Sequence, residues 1–489
     1  MNFDESAYIP DGWRIVTVAE LVADGVIEKP LDGNHGGIHP KASDYVDHGV
    51  PFIMASDLDE GHVNLAKCKF ISDVQAKELR KGFAVAGDVL LSHKATIGRT
   101  AIVQPSEHPF IVLTPQVTYY RVTDTSSLNA VYLKAYFDSP LFQTILGQWS
   151  GAGSTRAYLG ITGQLKLPII VPPIEVQNFI AQQARVLGEK IQLNHQINQT
   201  LEQVAQATFK SWFVDFEPVK AKMAALEAGG GDEDSLLAAM QAISGKNIEQ
   251  LERLKAESPE QYAELKATAE LFPSAMQESE LGEIPEGWKC LALDEIAKYQ
   301  NGLALQKYRP ENEDVYLPVV KIAQLKKGFA DGEEKASPNI KPDCIIDNGD
   351  VVFSWSGSLM VDTWCGGKAA LNQHLFKVTS KTHPKWLYYQ FTKHNLEGFQ
   401  RIAAAKAVTM GHIKREHLKA ALCVIPDAAV IDAAEKLLGN MLEKQIELRL
   451  ESNILSELRD TLLPKLLSGE LTIPDAEESV AELQDVAHV

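Results

Sequence analysis

Ile9-Pro10-Asp11-Gly12-Trp13-Arg14 returns later in the chain as Ile284-Pro285-Glu286-Gly287-Trp288-Lys289. Each copy is followed by an apolar-acidic-apolar element, Ala19-Glu20-Leu21 and Asp294-Glu295-Ile296. Working outward, Val50-Pro51-Phe52-Ile53 has its counterpart in Leu317-Pro318-Val319-Val320, and Gly87-Asp88-Val89-Leu90-Leu91-Ser92 in Gly349-Asp350-Val351-Val352-Phe353-Ser354. The order is kept throughout, so the chain is an internal duplication. Each half then crosses a Gly- or Ala-rich loop (151–156; 403–409) and an apolar run ending in proline, at Pro172 and Pro426.

Within each half, short Val/Ile/Phe/Tyr-rich runs at 110–113, 117–122 and 351–354 sit between Gly, Pro and Asp, which predicts strands and turns. Segments 128–146 and 384–401 read as helices. Each half is therefore a mixed, strand-rich α/β domain of ordinary size.

A long helix follows both domains. Ile180, Leu187, Ile191, Asn194, Ile197, Leu201, Val204 and Thr208 step by three, four or seven, and so do Ala434, Leu438, Met441, Gln445, Leu448, Ser452, Leu455 and Leu462. Pro426-Asp427 opens the second stripe, which is expected to close near Pro464. Two such stripes bury each other most simply as an antiparallel coiled-coil pair. Asn194 and Gln445 inside them would fix the register at some cost in stability. A helix over 175–212 is on the order of 55 Å long at about 1.5 Å per residue, a ruler.

The 489 residues, 45% hydrophobic and 23% charged, suffice for two or three domains with their own cores. The acidic, polar start and the absence of any long apolar run predict a soluble, cytoplasmic protein. Five cysteines without CxxC spacing (Cys68, Cys290, Cys344, Cys365, Cys423) indicate neither a disulfide framework nor a zinc ribbon. The net charge of −18 is concentrated: residues 217–283 carry 14 acids against 6 bases, and residues 470–489 carry 6 acids and no base. The remainder is close to neutral, which permits a local basic groove. Segment 217–283, with Gly229-Gly230-Gly231-Asp232-Glu233-Asp234 and helix-compatible stretches near 248–254 and 261–271, reads as a partly flexible acidic connector.

These residues resemble the specificity subunits of type I restriction-modification systems. The resemblance rests on a Pro-x-Gly-Trp opening in each half, the two Gly-Asp strands, a Gly153-Ser154-Thr155 loop and Pro172-Pro173-Ile174-Glu175-Val176-Gln177 entering a helix. Phe209-Lys210-Ser211-Trp212-Phe213-Val214-Asp215-Phe216-Glu217-Pro218-Val219 and Leu463-Pro464-Lys465-Leu466-Leu467-Ser468-Gly469-Glu470-Leu471 resemble the segments that follow the family's two helices. It covers nearly the whole chain. The second half departs from the pattern at Pro426-Asp427-Ala428 and at Ala405-Lys406-Ala407-Val408-Thr409.

The resemblance implies two target-recognition domains (1–174 and 284–426) separated by an antiparallel pair of spacer helices (175–216 and 427–473); composition marks the acidic connector at 217–283 and a disordered acidic tail at 474–489. The resemblance also implies a bipartite site on double-stranded DNA, two modification (methyltransferase) subunits docked on the helices, and two restriction (motor and nuclease) subunits. S-adenosylmethionine, ATP and Mg belong on those partners, and no cofactor on this chain.

Reading DNA needs Arg or Lys for phosphates and guanine, and amides or hydroxyls for base edges. Candidates are Ser92, His93, Lys94, Thr96, Arg99, Ser154, Thr155 and Arg156 in the first domain. In the second they are Ser354, Trp355, Ser356, Lys368, Lys406, Thr409, His412 and Lys414. The bland alternative is a solvated loop. The Gly151-Ala152-Gly153-Ser154-Thr155 run lacks the lysine and spacing of a P-loop. Trp13 and Trp288 read as core anchors rather than base-stacking platforms. His35 with His39, or Cys344 and Cys365 with His374, lack close fixed spacing for a metal.

No dinucleotide or methyl-donor fingerprint, base-methylation motif or Walker A sequence is present, so the chain reads as a non-catalytic subunit. The alternative is a coiled-coil scaffold with duplicated protein-binding domains.

Overall fold

The computed structural model describes residues 10–59, 61–151, 157–312, 314–405 and 411–476. The chain divides into two compact units, Met1–Gln192 with Ile454–Val489, and Leu193–Asn453.

Both repeated halves open in the same way. Trp13 N donates to Pro10 O and Trp288 N to Pro285 O, at 3.1 Å in each case. Gly12 and Gly287 sit at φ +84° and +82°, a conformation that glycine adopts without steric penalty. The strand that follows is paired, antiparallel, with the last strand of its own half: Arg14–Thr17 with Pro168–Val171, and Lys289–Ala292 with Leu422–Ile425. Entry and exit of each half are thereby stitched together at the foot of a long helix.

In the first unit a six-stranded sheet runs Leu31–Asp32, Val117–Tyr120, Val89–Lys94, Thr96–Ile102, Gly61–Val63, Leu58–Asp59. A five-stranded sheet centres on the parallel pair Val50–Ile53 and Ile111–Leu113. The second unit has two four-stranded sheets, one led by Val351–Ser354 and Leu375–Thr379, the other by the parallel pair Leu317–Val320 and Ala369–Leu371. The repeated sequence blocks thus occupy matching strands. The fold is mixed α/β, duplicated.

Each expected helix after the sheets is two. Ala130–Asp138 stops at Ser139, whose extended backbone precedes Pro140 and whose Oγ accepts the Phe142 amide at 3.2 Å, capping Pro140–Ser150. A residue before proline is disfavoured in the helical region, so the break is local chemistry. Lys385–His394 and Leu396–Ala405 also part, at Asn395, which keeps a helical backbone and has no proline after it.

The first long helix is Ile174–Phe213. Gln177, fully buried, secures its start: Nε2 donates to Pro172 O and Ser127 O, and Oε1 accepts from Asn129 N. The second runs over 428–468, with one π-helical stretch, Glu435–Gly439, ahead of Asn440–Ser468. It continues through Pro464 and ends at Ser468, near the expected close. Proline in a helix interior costs about 3 kcal/mol, and burial of Leu463, Leu466 and Leu467 in the first unit's core, at about 1.5–3 kcal/mol each, outweighs that.

Within the first unit, Leu187 packs with Leu458 and Leu462. Within the second, Asn194 Nδ2 donates to Glu451 Oε2 at 2.9 Å, and Gln445 Nε2 to Glu202 Oε2 at 3.2 Å and Asn198 O at 3.3 Å. Partner numbers fall as the first helix's rise, so the pairing is antiparallel. The stripe differs from the expected one at Ile197 and Val204, which are 37% and 43% exposed. A straight helix at 3.6 residues per turn drifts off a 3.5-residue seam by about 20° per heptad, and the buried face has moved to Ala205, Phe209 and Trp212.

Residues 217–270, read from composition as a partly flexible acidic connector with helical stretches, are helical over most of their length. They form four helices, Glu217–Glu227, Asp232–Ser244, Ile248–Glu257 and Pro259–Glu270, around a small core of Ala239, Met240, Leu251 and Ala269. Asp232, Glu233 and Asp234 occupy the first turn of the second of these helices, where the helix dipole favours negative charge. Phe213, Phe216 and Phe272 surround Trp288, which is 2% exposed, while Trp13 is only partly buried. Among the described residues no helix is long and apolar enough to cross a membrane. Thr472 Oγ1 donates to Asp475 at 2.6 Å and Ala476 is buried; the expected tail beyond it lies outside the described residues.

Candidate nucleic-acid interface

The recurring Gly-Asp pair builds the base of a strand. Asp88 is almost fully buried; it accepts the Val85 amide at 2.8 Å and a two-pronged interaction from Arg121, Nε to Oδ1 and Nη2 to Oδ2, both 2.8 Å. Asp350 repeats this with the Asp347 amide and Lys377 Nζ, both 2.7 Å. From there the strand runs inward through apolar residues to a tip, and both tips are held alike.

At the first tip Leu159 N donates to His93 O, Ala95 N donates to Ala157 O, and Lys94 bridges Tyr158. At the second, Ile413 N donates to Trp355 O, Gly357 N to Gly411 O, and Ser356 bridges His412. Each tip therefore lies against the residues that leave the Gly- or Ala-rich loop. Rings meet at equivalent places too: His93 with Tyr158 at 5.7 Å, Trp355 with His412 at 6.3 Å.

The sequence-predicted residues divide by exposure. Lys94, Thr96 and Arg99 are exposed along the first hairpin. Ser92 and His93 are fully buried: Ser92 Oγ accepts the Arg99 amide at 2.9 Å, and His93 Nδ1 donates to Leu159 O at 3.0 Å. Burial pushes the His93 pKa down, so the ring is neutral, and its Nε2 is sealed from solvent without a partner. Both side chains support the tip rather than project from it. Ser154, Thr155 and Arg156 lie outside the described residues, as do Lys406 and Thr409.

In the second domain Ser354 Oγ donates to Ser356 O at 3.1 Å, and Ser356 Oγ shares a hydrogen bond with His374 Nδ1 at 3.0 Å; both serines are buried. Trp355 is half-buried, donating from Nε1 to Gln373 O at 3.2 Å. His412 and Lys414 are exposed beside the tip, with Lys414 Nζ 3.7 Å from Glu416. Lys368 is exposed but displaced. Its neighbour Gly367 donates to Asn348 Oδ1, which puts it by the start of the strand, whereas Trp355 and Ser356 stand at the end.

Beneath each tip lies a segment that sequence reasoning passed over. His93 N donates to Gln116 O and Trp355 N to His374 O, so Thr114-Pro115-Gln116 and Asn372-Gln373-His374 are equivalent. The only signal was three non-apolar residues between Leu113 and Val117, and between Leu371 and Leu375. In the first domain this segment floors a cavity of about 360 Å³ walled by His35, His39, Tyr45 and Lys94. Behind it, the buried Asp32 carboxylate pairs with Lys81 and with His35 Nε2 at 2.7 Å. Burial alone would raise the Asp32 pKa, but the Lys81 and His35 hydrogen bonds hold it below the ordinary value.

Two α/β modules with matching, polar-edged tips, each followed by a long helix, define a class: a duplicated α/β protein with paired long helices. Residues 285–428 match the family model of the type I restriction modification DNA specificity domain. The chain is 31% identical to the type I restriction enzyme HindI specificity subunit of Haemophilus influenzae over 62% of its own length and 69% of that relative. It is 23% identical to the MjaIX specificity subunit of Methanocaldococcus jannaschii over 90% and 91%. Among solved structures, a type I restriction-modification S subunit from M. genitalium gives a TM-score of 0.49 at 12% identity, covering 95% of this chain and 98% of that one. The chain belongs to the type I restriction enzyme specificity subunits.

Proposed function

We propose that this chain selects the DNA site for a type I restriction-modification assembly. Each α/β domain reads one half of a split target on double-stranded DNA, and the helix pair sets the spacing between halves. The chain itself performs no chemistry. Modification subunits, two per assembly, dock on the helices and methylate adenines with S-adenosylmethionine; two restriction subunits supply the ATP- and Mg-dependent motor and nuclease in the cytoplasm.

The observation that carries this reading is the duplicated tip in a member of this family. The exposed Lys94, Thr96 and Arg99 on the first hairpin, and His412 and Lys414 beside the second tip, have the chemistry for phosphates and base edges. Ser92, His93, Ser354 and Ser356 act as supports for those residues.

The test is methylome sequencing of a host carrying this chain and its methyltransferase partner, against the same host lacking the chain. A split methylated motif that disappears with the chain supports the proposal. Exchange of residues 1–174 for those of a relative is expected to change one half-site, and a change in helix length the spacer. Unchanged methylation with an active partner favours the scaffold reading.

A further inference from the structure

We propose that Gln116, at the floor of the first domain's cavity, is a specificity-determining residue that reads an adenine edge, while Lys94 at the rim holds the adjoining DNA phosphate. The inference rests on the reading of the chain as a DNA-site selector and names a reader outside the strand tips.

Four observations carry it. Gln116 is half-buried and lines the cavity together with Lys94, yet its side-chain amide makes no hydrogen bond to another described residue. The floor is rigid: the Gln116 carbonyl accepts the His93 amide at 2.9 Å, and Val117 N donates to Thr114 O at 3.1 Å. Thr114, 5% exposed and also lining the cavity, keeps an Oγ1 without a partner, and a buried polar atom left unpaired in a native fold asks for a reason. The walls supply the rings of His35, His39 and Tyr45, and Lys94 the positive charge, a surround suited to a nucleobase beside its phosphate.

A carboxamide offers a donor next to an acceptor, the complement of adenine N7 and N6-H in the major groove. The equivalent position in the second domain is differently built. There His374 is tied to Ser356, and Gln373 Nε2 lies 3.4 Å from His374 Nε2. Two domains of one ancestry thus present different polar groups at one place, as reading two different half-sites requires.

The experiment is methylome sequencing of the complete complex carrying Gln116→Ala or Gln116→Glu, with the unaltered chain alongside. Gln116→Ala is expected to make one position of the first domain's half-site degenerate, with discrimination there falling about ten- to a hundred-fold and the other half-site unchanged. Gln116→Glu, similar in shape but accepting only, is expected to move preference at that position from adenine toward cytosine, and it decides the matter if the alanine variant folds poorly. Full discrimination at every position in both variants would overturn the inference, as would a uniform loss over all sequences. If the unaltered chain directs no split motif, the site-selector reading itself fails; if it does and the variants change nothing, only the assignment of Gln116 fails.

Discussion

Ala95 and Gly357 share one backbone conformation, φ +65° in each, at the same step after the recurring Gly-Asp strand. The turn requires the left-handed region, which glycine enters freely and alanine only with strain. Ala95→Gly is therefore expected to stabilise the first domain by about 0.5–1 kcal/mol, the relief of strain exceeding the entropy that glycine adds to the unfolded chain. Gly357→Val should cost the second domain about 1–2 kcal/mol. Midpoints of denaturant unfolding measure both, and a loss of stability in Ala95→Gly would contradict the argument.

Acidification is expected to weaken the first domain through His93. Its folded pKa lies below the ordinary 6.5, so the unfolded chain binds the proton first. Stability is full above about pH 6.5 and falls as the pH drops from there toward the folded value. Asp32 acts in a lower window, its contribution present above about pH 3.8 and lost as the pH falls through its depressed value. Thermal melts of His93→Phe between pH 7 and 5 should show a shallower slope than the unaltered chain; equal slopes would remove His93 from the account.

The carboxylates at the feet of the strands should differ in worth. Asp88, 1% exposed, takes both prongs of Arg121 and the Val85 amide; its loss leaves that guanidinium, 25% exposed, with Glu28 and the Phe83 carbonyl alone, and Asp88→Ala should cost about 2–3 kcal/mol. Asp350 and Lys377 are 24% and 19% exposed and share one contact, so Asp350→Ala should cost about 1 kcal/mol. Calorimetric unfolding of the two variants gives the ranking, and a reversed order would refute it.

Asn194 is expected to contribute register more than stability. Its Nδ2 reaches Glu451, but its Oδ1 is buried without a partner. Asn194→Leu should raise the melting temperature, because an apolar side chain suits the seam better, while permitting slipped pairings. Circular dichroism reads the first effect. A changed spacer in the methylated motif would report the second.

Most of the architecture was legible in the chain. Turns that need a positive φ at Gly12 and Gly287 and the alternation of short apolar runs are local matters, and the structure places them where the repeat does. The long helix expected at 175–212 is Ile174–Phe213. The breaks at Ser139 and Asn395 were missed because apolar spacing continues across them, although Pro140 signalled the first. Of the helices in 217–270, Ile248–Glu257 and Pro259–Glu270 fall on the stretches read as helix-compatible, whereas Glu217–Glu227 and Asp232–Ser244 were masked by the charge and glycines around them, their small core resting on only a few residues, Met240 and Leu251 among them.

The sequence by itself determined the duplication, the strand and turn pattern of each half and the two long amphipathic helices, because these follow from backbone sterics and side-chain periodicity within a few residues. Which polar residues face outward was decided only by tertiary structure. Ser92, His93 and Lys94 are neighbours of similar polarity, yet strand pairing with Thr96–Ile102 and closure by Leu159 bury the first two and expose the third. Gln116 joins Lys94 around one cavity because Val117–Tyr120 lies beside Val89–Lys94. Accessibility depends on contacts between residues tens of positions apart, and no local pattern encodes it.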